Sequence, residues 1–64
     1  MEMDTNEIKA SIQTQVNIIR DIWGDDRNTI QSKVFQIMVG VNSVLIHMGK
    51  LATYDIDTLE VSIN

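Results

Sequence analysis

The sequence predicts an all-α protein: an antiparallel helical hairpin that dimerises into a four-helix arrangement and ends in a short extended or β-like tail. Three observations carry that expectation. Between Asp26 and Ala52 the apolar residues Ile30, Val34, Ile37, Val41, Val44, Met48 and Leu51 recur at steps of 4, 3, 4, 3, 4 and 3, the heptad rhythm that keeps one helix stripe facing a partner. The chain has no proline, so nothing interrupts a long helix. Its 64 residues include no cysteine and a single histidine, which excludes disulfides and thiolate metal sites and argues against a structural metal. A lone domain of this length buries only about 60% of the surface its unfolded chain exposes. Self-association or a protein partner is therefore the expected source of further stability.

Residues 1 to 3 are expected to fray ahead of the first helix. Asp4 followed by Glu7 resembles a capping box with Asp in the place of Ser or Thr, and Thr5 is an equally good cap. The first helix is expected over residues 5–23. Its apolar positions are Ile8, Ile12, Val16, Ile19 and Trp23, flanked by Ile18 and Ile22; at about 100° per residue they cover an arc of roughly 160°. Lys9, Gln13, Asn17, Arg20 and Asp21 occupy the opposite, solvent-facing side. Gly24 stands where a helix C-cap belongs, and Asp25, Asp26 and Asn28 are good N-caps for a second helix. Their carboxylates also suit the positive end of that helix's dipole. A turn at 24–26 joins two antiparallel helices.

The second helix is expected over residues 27–52. Besides the heptad stripe it carries Phe35, Met38, Val39, Leu45, Ile46 and Ala52, which widens its apolar arc to roughly 200°. Its polar strip is narrow: Lys33, Gln36, Gly40, Ser43, His47 and Lys50. The first helix can cover only one side of such an arc. The same helix of a second copy closes the rest most simply, with the oligomer interface at Ile30, Val34, Ile37, Met38, Val41, Val44, Leu45, Met48 and Leu51. Each Leu or Ile so covered contributes about 1.5–3 kcal/mol, large beside the total stability of a small domain.

The tail, residues 53–64, changes period. Tyr54 and Ile56 alternate with Asp55 and Asp57, and Leu59, Val61 and Ile63 alternate with Glu60 and Ser62, which is a strand pattern. A single short strand is not stable alone. It is expected to pair with its symmetry mate or to lie across the bundle as an extended arm; the rival reading is a helical turn or two capped by Asp57 and Glu60.

The residues carry little chemistry. A net charge of −4 argues against binding a phosphate backbone. The acidic, polar N-terminus is unlike a signal peptide. The most apolar window, Val34 to Met48, is broken by Gln36, Asn42, Ser43 and His47 and reads as too short and polar to span a bilayer. A soluble cytoplasmic protein that binds no nucleic acid directly and does not enter a membrane is expected. His47 has Ser43 and Lys50 at helical spacing but no carboxylate orienter or nucleophile loop, so no catalytic residue is assigned. Asp55, Asp57 and Glu60 resemble the start of a calcium loop but lack its glycine and closing glutamate; no metal or cofactor is assigned. Met38 and Met48 fall at core spacing.

Three features remain. Gly40 and Gly49, with Ser43 and Ala52, make small patches where another backbone could come close, in a dimer crossing or a docking groove. In a simple hairpin, Glu2, Asp4 and Glu7 lie near Asp55, Asp57 and Glu60, offset only by Lys9 and Lys50; such an acidic end suits a protein partner with a basic surface. Trp23 is either an anchor for that partner or a cap on the bundle. The partner-binding residues are therefore expected to be Trp23, Asp55, Asp57 and Glu60. The function expected is that of a small acidic, non-catalytic inhibitor, adaptor or antitoxin-like regulator of the phage or plasmid type. A self-assembling scaffold is the alternative. A Rop-like hairpin dimer that binds RNA has the same architecture, but this chain lacks the basic strip that RNA requires.

Overall fold

A computed structural model describes residues 4–64; Met1, Glu2 and Met3, and the fraying and acidity expected of them, lie outside the described residues. Helix α1 spans Thr5–Trp23. Asp4 caps it, its side chain accepting a hydrogen bond from the Asn6 N–H. Gly24, at φ +48°, ends it with its N–H on the Arg20 carbonyl. Helix α2 spans Arg27–Leu45. Asp26 is its cap: one carboxylate oxygen accepts from the Thr29 N–H at 3.1 Å and the other from the Thr29 hydroxyl at 2.7 Å. The turn and both helix starts match the sequence expectation.

The end of α2 does not. The helix tightens into a 3-10 turn over Ile46–Met48 and stops at Gly49, whose φ is +71°. The Lys50 N–H then reaches back to the Leu45 carbonyl and the Gly49 N–H to the Ile46 carbonyl, the paired bonds of a Schellman cap. The left-handed glycine thus halts the helix before Ala52, which belongs to a strand.

The tail is neither a lone arm nor a helical turn. Strand β1, Ala52–Tyr54, and strand β2, Val61–Ile63, pair antiparallel with each other, Thr53 opposite Ser62. The requirement that a strand find a partner is met within the chain rather than by a symmetry mate. The loop between them is built by Asp55, whose carboxylate accepts the N–H groups of Asp57 and Thr58 at 2.8 and 3.1 Å. Ile56 sits in this loop and is exposed.

The β-hairpin lies over one face of the helix pair, β1 against α2 and β2 against α1. The core between the two layers is Ile12 and Val16 of α1, Ile30, Val34, Met38 and Leu45 of α2, and Ala52, Leu59 and Val61 of the tail. Part of the apolar arc assigned to a second copy is therefore covered by the chain's own tail. Four residues expected at an oligomer interface, Ile30, Val34, Met38 and Leu45, belong to this core. Ile37 and Val41 pack at its margin, while Val44, Met48 and Leu51 are at least half exposed. The buried set advances by 4, 4 and 7 residues, so Met38, outside the heptad stripe, takes a full core place, while Ile37 and Val41 of the stripe are only partly buried.

Candidate functional site

Both long edges of the β-hairpin are held by one amide side chain from each helix. Asn42 of α2 accepts the Ala52 N–H at 2.7 Å and donates to the Ala52 carbonyl at 3.0 Å. Gln13 of α1 accepts the Val61 N–H at 2.7 Å and donates to the Leu59 carbonyl at 3.0 Å. Gln13 also donates to Asn17, and the Arg20 guanidinium bonds Asn17 and reaches the Thr58 carbonyl at 3.5 Å. The side of α1 expected to face water is, at Gln13, Asn17 and Arg20, the side the hairpin covers.

The hairpin also reverses the expected acidic end. Its loop points away from Asp4 and Glu7, toward the turn between the helices. The Asp57 carboxylate lies 3.9 Å from the Arg27 guanidinium, both largely exposed. A shallow cleft there is lined by Arg20, Asp25, Arg27, Ile56 and Asp57, with Ile30 and Leu59 also bordering it. Acids and arginines are mixed in it, so the loop is not a block of uncompensated negative charge. The expectation failed because a tail doubling back as a hairpin carries its middle the length of the molecule.

Of the expected partner-binding residues, Trp23 ends α1 at that same turn and is 41% exposed. The Lys33 ammonium stands 5.0 Å from its ring centroid, a cation–π distance. Asp57 and Glu60 are exposed in and beside the loop. Asp55 has a structural task, since its carboxylate anchors the loop; the Thr58 and Asp57 N–H groups hold its pKa below the ordinary carboxylate range. Asp26 is held low in the same way by the hydroxyl and N–H of Thr29.

His47 is exposed in the 3-10 turn, and the Ser43 hydroxyl donates to the Gly40 carbonyl at 2.6 Å. Among the described residues no group of three His, Asp or Glu side chains is placed to hold a metal. Taken with its 3-10 turn, α2 makes a 22-residue helix, Arg27–Met48, that is by length and composition apolar enough to cross a membrane. This helix is longer than the Val34–Met48 window read as too short and too polar, and core helices of soluble proteins meet the same criteria of length and composition.

The apolar surface is the more distinctive feature. Ile18, Ile22, Phe35, Val39, Val44 and Ile46 are all more than half exposed. Ile18 and Ile22 belong to α1; the other four lie on two separate flanks of α2 and its 3-10 turn. Phe35, Val39 and Ile46 lie beyond the hairpin's β1 edge. Gly40, Val41, Val44 and Met48 border an open apolar groove shared with Ile8 of α1. The two flanks are about 160° apart around the helix axis. No family model, curated protein or solved structure matches the chain.

Proposed function

We propose that this chain is a non-catalytic cytoplasmic protein that works by protein–protein contact, as an inhibitor, adaptor or antitoxin-like regulator, and that it does so as a homo-oligomer. The observation that carries this reading is the exposed apolar surface on both flanks of α2. Monomeric proteins rarely leave contiguous patches of this kind open, and such patches mark interaction sites. Trp23, beside the turn and the hairpin loop, is the aromatic anchor for a heterologous partner, and Asp57 and Glu60 supply the charge that meets a basic surface.

The test is an affinity capture from the source cell with wild type, Trp23→Ala and an Asp57→Ala/Glu60→Ala variant. Asp55 is left intact because it builds the loop. One stoichiometric partner, lost with either variant while circular dichroism is unchanged, supports the reading. Recovery of the chain alone overturns the regulator.

A self-assembling scaffold is the second reading, favoured by one observation: two apolar flanks on different sides of α2 let one chain join two neighbours. Such a protein grows in mass with concentration, whereas a regulator of closed symmetry stops at a fixed oligomer.

A further inference from the structure

Gly40 is not explained by its own chain. It stands in the interior of α2 with ordinary helical backbone, and a Cβ placed on it would meet no atom within 4 Å. Neither a left-handed conformation nor internal packing asks for glycine there, and in a helix interior only proline is a poorer helix former. What glycine offers at such a position is close approach by another backbone.

Gly40 also sits on the side that the β-hairpin leaves open. It is two residues from Asn42, which bonds β1, and so about 200° around the helix from it. On that side α1 presents Ile8, Ser11, Gln15, Ile18 and Ile22, at steps of 3, 4, 3 and 4, and α2 presents Ile37, Gly40, Val44 and Met48. The α1 stripe is uncharged, and α2 and its 3-10 turn contain no Asp, Glu, Lys or Arg between Lys33 and Lys50. Each copy carries a net charge of −4, and an uncharged face lets two acidic copies approach without setting like charges against each other. The molecule is 37 Å long and 16 Å wide, so the outline of the face is about 600 Å², at the small end of specific interfaces, whose standard is about 800 Å² per partner.

We infer that a second copy of the chain covers this face, with α2 crossing its symmetry mate at Gly40. A two-fold axis there sets glycine against glycine, the hairpins lie on the two outer sides, and the four helices form the inner layer. The Phe35–Val39–Ile46 flank stays free. This pairing rests on the homo-oligomer of the functional reading and adds where the copies meet: a monomeric wild type sinks both, whereas a dimer unmoved by Gly40→Leu sinks the pairing alone.

Light scattering should give the wild type a mass of twice 7.3 kDa. Gly40→Leu should fall to 7.3 kDa with helical circular dichroism retained, since the added side chain meets nothing in its own chain. The chain has no native cysteine, so Gly40→Cys carries a single thiol and should form a covalent dimer on mild oxidation; a disulfide requires Cα atoms within about 7 Å. Phe35→Cys, on the other flank, should not. A Gly40→Leu variant that keeps the wild-type mass, or cross-linking at Phe35 and not at Gly40, overturns the inference. So does a monomeric wild type, and its flotation with phosphatidylcholine vesicles would then give the face to a lipid surface.

Discussion

Leu59 is the residue held furthest from its own preference. Its φ is +61°, a left-handed conformation that costs a side chain with a Cβ roughly 1–2 kcal/mol, yet the side chain is only 7% exposed. The conformation persists because the backbone around it is fixed at three points. The Leu59 N–H donates to the Asp55 carbonyl, its own carbonyl accepts from Gln13, and the next strand begins two residues on. Glycine would remove the strain but also the buried side chain, whose truncation costs about 2–5 kcal/mol. Leu59→Gly is therefore expected to lose about 1–3 kcal/mol net in urea unfolding. A variant more stable than wild type would show that backbone strain outweighs what the leucine buries. Leu59→Asn, which tolerates the left-handed region but leaves a polar group in the core, should lose more than Leu59→Gly.

A two-stranded hairpin with three residues in each strand is not stable by itself, and its open edges invite another chain. Here Asn42 and Gln13 occupy those edges and tie the hairpin to both helices. Asn42→Ala strands the N–H and carbonyl of Ala52, a half-buried pair whose loss of partners is expected to cost about 1–3 kcal/mol. Gln13→Ala should act alike on Val61 and Leu59. Amide hydrogen exchange gives the check: each variant should speed exchange throughout both strands while the middle of α1 stays protected. Rapid exchange confined to Ala52 or Val61 would mean that the hairpin does not depend on the clamps. The helix starts, the turn at Gly24 and the alternation of Val61 and Ile63 arise from local chemistry, so they are legible in the sequence. The clamps depend on residues far apart in sequence. Asn42 does leave a signal, as a polar interruption in an apolar run, whereas Gln13 is indistinguishable from a solvent-facing glutamine. The hairpin's pairing is hidden because its loop is set by one aspartate and a left-handed leucine, neither of which announces a turn as Asn-Gly would.

At the scale of the whole molecule, the hairpin brings its loop to the turn between the helices, so two of the chain's three reversals lie at one end, the third being at Gly49. That placement cannot be read from charge, because it depends on the direction in which the tail folds back. Each of these two is fastened by a carboxylate, Asp26 at the turn and Asp55 in the loop, and both have lowered pKa values from hydrogen bonds to the charged form. The depression fixes the sign of the pH dependence. Their contribution is complete above the ordinary aspartate pKa of about 3.9 and is lost as pH falls through the lowered folded-state values. The urea midpoint should be level from neutral pH to about pH 5 and decline below about pH 4. Asp26→Asn combined with Asp55→Asn keeps an acceptor oxygen at each position but removes the titration. That variant should be less stable at neutral pH and show a shallower acid decline. An acid decline as steep as that of the wild type would place the acid-sensitive groups elsewhere than at Asp26 and Asp55.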